Sequence, residues 1–311
     1  MRKTLLAAIG LLACTSLVWS QDKAKAKTPK PKKVKTVTPS VWQKGGNISV
    51  ALSQTGGQNW TPGADKFTLS ANGLLYLYAN QTKGRFHFDN WADINYGMQN
   101  SDAHGIIKND DKLDVVSRWS REIGKKNDGK RYWRYSLHNN FRTQFTDGYM
   151  YSNGERTRVS GFMAPATFLI SPGAGYSWAN KFYFHISPFT PRWVIVANRP
   201  YELAGKYDVM PTREVRIEGG AFVSASINTP LGKHLSIRSR VDAFSDYLNN
   251  KPTNVDVFWT NTLYLQVSKH LGVVYNFDLQ YDDNTRIFGP LGNRPGTQVK
   301  SIFGVGLNAK F

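Results

Sequence analysis

Residues 255–267 read VDVFWTNTLYLQV. Val255, Val257, Trp259, Leu263, Leu265 and Val267 fall on one face together with Asn261. Asp256, Phe258, Thr260, Thr262, Tyr264 and Gln266 fall on the other. Successive side chains of a strand point to opposite faces, so this period of two predicts a strand with one apolar and one polar surface. The neighbouring segments repeat it. Leu271, Val273, Tyr275, Phe277, Leu279 and Tyr281 oppose Gly272, Val274, Asn276, Asp278, Gln280 and Asp282. Val299, Ser301, Phe303, Val305, Leu307, Ala309 and Phe311 oppose Lys300, Ile302, Gly304, Gly306, Asn308 and Lys310.

Working outward from here, the pattern predicts twelve strands, at 46–55, 66–80, 85–98, 113–124, 131–146, 163–178, 182–197, 213–228, 234–246, 254–268, 271–283 and 299–311. The gaps alternate. Those at 56–65, 99–112, 147–162, 198–212, 247–253 and 284–298 are long, and those between them are short, as at 81–84, 125–130 and 229–233. An even strand count with tight turns at one end and long loops at the other describes an antiparallel, up-and-down transmembrane β-barrel of the outer-membrane kind, with both chain ends on the short-turn, periplasmic side. A soluble sandwich or lipocalin-like barrel also alternates, but with its apolar face inward. Many polar-face residues here are charged, and strands of ten or more residues suit a tilted bilayer crossing. Both features favour the membrane barrel.

The whole chain has 311 residues, 41% apolar and 13% aromatic, with 40 Lys and Arg against 22 Asp and Glu. It is too aromatic to be disordered throughout and lacks the long apolar runs of helical membrane proteins. Residues 1–20, MRKTLLAAIGLLACTSLVWS, read as a secretory signal peptide cleaved after Ser20. The one cysteine, Cys14, lies inside it, in a poor lipobox; cleavage there would instead give a lipid anchor. Residues 21–41 carry seven lysines among Ala, Pro and Thr. They predict a disordered periplasmic tail, either a solubilising leader or a tether for an anionic lipid, another envelope polyanion or a protein. Nucleic acid is not an expected partner of an exported chain.

The last strand ends on Phe311, with Phe303, Val305 and Leu307 at alternate positions before it. It resembles the C-terminal signal of bacterial outer-membrane proteins that the barrel-assembly machinery reads. Trp42-Gln43-Lys44-Gly45-Gly46, Leu52-Ser53-Gln54 and Gly57-Gln58-Asn59-Trp60 resemble the opening of an uncharacterised Bacteroidota family, domain of unknown function 3078, and the resemblance extends over most of 42–311. Gly63-Ala64 stands where that family has Gly-Gly. The resemblance implies a Gram-negative outer-membrane barrel and carries no catalytic residues.

With apolar faces on lipid, the opposite faces line the interior. They are Arg85, His87, Asp89, Trp91, Asp93 and Asn95; Asp114, Arg118 and Glu122; Arg134, His138, Asn140 and Arg142; Glu214, Arg216 and Glu218; Arg238, Arg240 and Asp242; and Asp256, Asp278, Asp282, Lys300 and Lys310. Nine of these are basic and ten acidic, so the wall is nearly neutral although the chain carries +18 overall. Mixed charges in a confined space tend to pair. This predicts a narrow or occluded interior, suited to a structural or accessory role or to passage of small polar solutes. Tyr132, Trp133, Tyr135, Tyr176, Trp178, Phe182 and Tyr183 are expected near the periplasmic interface. Pro188 and Pro191 predict a bulge or bend, with Gly173, Gly175, Gly219 and Gly220 as neighbouring kinks or as room for bulky interior side chains. His87, His138 and His185 point inward. His234 and His270 fall in or beside turns, and His104 in an outer loop with Asp102, Asp110 and Asp111, a cluster read as solvated loop with an acid/base or cation site as the alternative. No spacing suits a catalytic site, metal or cofactor; a lipid-modifying enzyme is the alternative reading.

Overall fold

The computed structural model describes residues 42–56, 67–101, 104–124, 131–152, 155–179, 181–197, 207–248, 252–285, 288 and 294–311. The expected signal peptide with Cys14, the tail at 21–41, residues 57–60 and 63–64 of the opening motif, and Asp102 lie outside them.

Fourteen strands form: β1 (Gln43–Gly56), β2 (Phe67–Lys83), β3 (Phe86–Ser101), β4 (Gly105–Glu122), β5 (Arg131–Thr143), β6 (Gly148–Ser152), β7 (Glu155–Ser160), β8 (Ala166–Trp178), β9 (Phe182–Ile195), β10 (Val215–Pro230), β11 (Leu235–Ser245), β12 (Val255–Gln266), β13 (Leu271–Tyr281) and β14 (Gln298–Lys310). Twelve close into an antiparallel ring in the order β1-β14-β13-β12-β11-β10-β9-β8-β5-β4-β3-β2. The first and last strands seal it, from Asn47 against Lys310 to Leu52 against Val305. Beyond that register, the Gly46 N–H donates to the Phe311 carbonyl at 2.9 Å and the Phe311 N–H to the Gly46 carbonyl at 3.2 Å. Closure leaves no edge unpaired among the twelve strands of the ring, which is what hydrocarbon demands of a spanning sheet.

The faces divide as a bilayer requires. Phe303, Leu307 and Trp119 on the outer surface are 62%, 68% and 57% exposed, whereas Asp114 and His138 inside are 1% and 0% exposed. Ile48 and Val50 on β1, Tyr135 on β5, Ile217 on β10 and Trp259 on β12 continue the apolar outer belt. A greasy exterior around a charged interior is a soluble core inverted, and it identifies a transmembrane β-barrel.

Two long connections contain more strand than their sequence predicts. The gap expected at 99–112 is mostly ladder: β3 and β4 pair from Phe86–Arg121 out to Ser101–Gly105, with a bulge at Asn109. Gln99, Asn100, Lys108 and Asp110 give no apolar period, because neither face of a strand needs to be greasy where it projects beyond the membrane. In the gap expected at 147–162, β6 and β7 pair as a separate hairpin.

The bulge predicted around Pro188 is present. Gly220 pairs with Thr190, but Phe222 pairs with Ser187, so β9 holds one extra residue there. The same slip recurs against β8 between Leu169 and Ala174. Gly173 and Gly220 make room on either side: a Cβ on Gly173 would meet the Ile186 carbonyl at 2.1 Å, and one on Gly220 the Ser245 carbonyl at 1.7 Å.

Phe303→Arg places a cation in the hydrocarbon belt and should cost about 2–4 kcal/mol of folding stability. Urea unfolding in lipid vesicles measures this; an unchanged midpoint would contradict the outward-facing belt.

Candidate functional site

The interior is where the chemistry-bearing side chains meet. In the ring order β3 and β11 stand directly opposite, with five strands between them either way round. Arg238 on β11 nonetheless reaches Asp93 on β3 at 2.5 Å, and its guanidinium lies 3.8 Å from the centre of the Tyr76 ring on β2. Arg240 crosses in the same way to Asp114 on β4. Asp114 is also held by Arg142 at 3.2 Å and by the Asn140 amide at 2.6 Å. Arg142 reaches across to Asp242 at 3.3 Å, and the Ser224 hydroxyl donates to that same carboxylate at 2.8 Å. Ion pairs thus span the ring between facing walls, and their side chains occupy its middle.

Three further groups extend this arrangement. Near the long-loop end, Lys300 on β14 binds Asp110 at 2.6 Å and Asp278 at 2.9 Å, and Lys112 on β4 binds Asp278 at 3.1 Å. On the β9–β10–β12 side, Arg192 joins Glu218 to Asp256, and Arg216 adds a contact to Glu218 at 2.5 Å. Towards the tight turns, Arg134 contacts Tyr132, Ser120 at 3.2 Å and Asp89 at 3.5 Å. There the His87 ring also sits 2.8 Å from Glu122. Arg118 lies 3.5 Å from the centre of the Tyr183 ring and 4.9 Å from that of Trp91, so the negative faces of two aromatic rings stabilise its charge.

Several positions differ from those read off the sequence. Arg85 sits exposed in the tight β2–β3 turn, not on the wall, because β3 begins at Phe86. Glu214 precedes β10 and is exposed. Asp282 follows β13 and caps the loop by accepting the N–H groups of Asn284 and Thr285. Tyr132 and Tyr183 turn inward to hold arginines, whereas Trp133, Tyr135 and Trp178 face outward. The side chain of Lys310 lies outside the described residues. Phe303, Val305, Leu307 and Phe311 all present exposed side chains.

Arg192 is absent from the wall that the sequence predicts. Counting by twos from His185 puts it outside, but the extra residue at Pro188–Phe189 reverses the parity, and Thr190, Arg192 and Val194 face in. The proline pair was the signal. Lys112 and Asp110 were hidden in a stretch read as loop, although parity continued upward from Asp114 points to both.

Ser171 and His185 lie 2.9 Å apart, a spacing that could serve a nucleophile and its base. Both have zero exposure. His138 and Phe222 pack against the imidazole with ring centres 5.4 and 6.0 Å away. A substrate carbonyl has no approach to that hydroxyl, so the contact is interior packing. His104 stacks on Tyr151 at 4.5 Å. Asp111 is taken up by Lys108 at 2.9 Å and by the Phe145 and Thr146 N–H groups. Among the described residues no group of three or more His, Cys, Asp or Glu is placed to hold a metal.

Above the crossing ion pairs, the long-loop end opens into a cavity of about 500 Å³. Its lining includes Lys108, Asp110, Lys112, Asp278 and Lys300 together with Val194, Tyr207 and Phe258. The Tyr207 hydroxyl donates to the Val159 carbonyl at 2.6 Å, and burial pushes its pKa up, so it remains a donor.

A family model described as Protein of unknown function (DUF3078) matches residues 52–149. The match bears out the resemblance to that family of unknown function over residues 52–149, a shorter span than 42–311 that leaves out Trp42–Gly46 and says nothing of the Bacteroidota. No curated protein matches the chain. Among solved structures, a NanC porin is similar at 13% identity, covering 84% of this chain and 98% of that chain, with a TM-score of 0.35. An outer membrane channel from Pseudomonas putida F1 is similar at 10% identity, covering 86% and 95%, with a TM-score of 0.37. The translocator domain of the autotransporter NalP from Neisseria meningitidis is similar at 8% identity, covering 86% and 89%, with a TM-score of 0.33. The barrel assignment rests on the closed ring and its faces.

Asp114→Ala leaves Arg142 and Arg240 to share the single carboxylate of Asp242 in a desolvated interior and should cost about 3–5 kcal/mol in vesicle unfolding. Asp114→Leu combined with Arg240→Met removes both charges and should recover most of the loss. Equal destabilisation by the single and paired variants would contradict the pairing.

Proposed function

We propose that this chain is an outer-membrane β-barrel, closed at rest by ion pairs that cross its interior, with a structural or accessory role rather than that of an open diffusion pore. The observation that carries the reading is the span from Arg238 to Asp93, between strands with half the ring on either side. A water-filled pore large enough for solutes would leave these side chains apart, each solvated on its own wall. The barrel-crossing contacts of Arg142 and Lys112 repeat the arrangement nearer the long loops. In this reading the tight turns and both chain termini face the periplasm, and the long connections with the β6–β7 hairpin face outward, as in barrels of this kind. The outer belt meets lipid, and the exposed row ending on Phe311 serves recognition by the assembly machinery. The lysine-rich segment 21–41 reaches into the periplasm towards a polyanion or protein.

A second reading has support from the cavity at the loop end. Its lining carries both signs of charge, which suits small polar solutes passing slowly through a rearranged interior. Hydrolysis of lipid is disfavoured, because Ser171 and His185 are sealed within the wall.

Planar-bilayer recording of the purified chain separates the readings. The closed barrel predicts rare, small openings for the natural sequence and at least a severalfold larger conductance for Arg238→Ala combined with Asp93→Ala, a change that leaves net charge unaltered. Stable open currents of equal size in both proteins would overturn it.

A further inference from the structure

The two ends of the barrel differ in charge. At the long-loop end acids and bases interleave: Arg158 pairs with Asp147 at 2.7 Å, and Arg216 lies 3.5 Å from Asp208. At the short-turn end an exposed cation is described in or beside each connection. They are Arg85 between β2 and β3, Arg131 at the start of β5, Lys181 between β8 and β9, Lys233 between β10 and β11, and Lys269 between β12 and β13. Lys44 on β1 fills the remaining arc beside the seam. The acid described at this end is Glu122, and it turns inward to His87. The cations therefore form a collar around the circumference, with no described Asp or Glu side chain facing outward among them.

Directly beside this collar lies an aromatic girdle. Phe86, Trp119, Trp133 and Trp178 are exposed on the outer surface at the same end of their strands. Phe88 packs edge-on against both Trp42 and Trp119 at 5.5 Å. Such girdles sit at headgroup depth. The guanidinium of Arg131 lies 5.3 Å from the Trp178 ring, and that of Arg121 lies 5.4 Å from the Phe86 ring, which holds both cations at that level.

We propose that the short-turn collar is a docking surface for anionic phospholipid headgroups of the adjoining leaflet. A ring of cations at fixed depth, set on a belt that already meets acyl chains, offers each neighbouring lipid one site for its tail and one for its phosphate. A zwitterionic headgroup gains little, because its own cation meets the collar too. Cations near a bilayer surface each contribute about 1 kcal/mol towards anionic lipid, roughly fivefold in affinity. This inference rests on the chain spanning a bilayer and not on which side the turns face or whether the interior conducts.

The girdle tryptophans report on it directly. The full chain is reconstituted in vesicles of phosphatidylcholine in which either phosphatidylglycerol or phosphatidylcholine carries bromine atoms near the headgroup, and tryptophan quenching gives the relative affinity of the two lipids. Phosphatidylglycerol should be preferred by about fivefold. The preference should approach unity at high salt and fall to less than half in a variant carrying Arg85→Gln, Lys181→Gln, Lys233→Gln and Lys269→Gln, all at exposed turn positions. Arg156→Gln with Arg213→Gln, at the other end, should leave it unchanged. No preference in the natural sequence would overturn the proposal. So would a preference that survives the four substitutions, which would place it in residues 21–41 or elsewhere, or a preference for added lipopolysaccharide alone. Absence of quenching by any brominated lipid would instead remove the membrane-spanning reading itself.

Discussion

A charge pointing into a closed ring has few partners besides the facing wall. In this barrel the outer face is committed to hydrocarbon, so ionised side chains that alternate inward must be satisfied by one another. That constraint accounts for the long reaches of Arg238, Arg240 and Arg142 and for the near-balance of sign along the wall. It also accounts for Arg118, which settles between Tyr183 and Trp91. The pairs are not strong evidence of added stability, since the desolvation of two ions offsets much of their attraction. Their consequence is geometric. Each ring-crossing bridge, Arg238–Asp93, Arg240–Asp114 and Arg142–Asp242, fixes the distance between two strands that share no backbone hydrogen bond, and together they fill the space a pore would need.

The barrel was legible in the sequence because lipid imposes a period of two on every strand. Val257, Trp259 and Leu263, or Phe303, Val305 and Leu307, announce their shared face without reference to any other part of the chain. Legibility fails where that pressure lifts. The upper parts of β3 and β4 stand clear of the bilayer, so Gln99, Asn100, Lys108 and Asp110 carry no apolar signature and read as loop. It fails again where the backbone breaks step. One extra residue at Pro188–Phe189 moves Arg192 from the lipid side to the interior, and a parity count made in ignorance of its effect misses the residue that joins Glu218 to Asp256. Turn residues are the third case: Arg85 keeps the parity of the wall but lies one step beyond the strand. Which wall residues meet was not legible at all, because pairing across a ring depends on strand order and stagger, which a single strand does not encode.

The distribution of charge separates three tasks along one cylinder. Acids and bases cancel in the middle, where the dielectric is low. They interleave around the loop-end cavity, whose walls combine ionic groups with Val194, Tyr207 and Phe258. At the turns the cations stand on the exposed rim. The formal +18 of the chain is therefore a statement about its ends and tail and not about its interior, which argues against reading the net charge as anion selectivity.

Contact between facing walls is the claim from which the closed interior follows. Solid-state NMR of the protein reconstituted in lipid, with arginine guanidinium nitrogens and aspartate carboxyl carbons isotopically labelled, measures those contacts directly. The account predicts close nitrogen–carbon couplings for Arg238 with Asp93 and Arg240 with Asp114, each lost when one partner is replaced. Guanidinium groups coupled only to water would show the walls apart and the barrel open, and would contradict it.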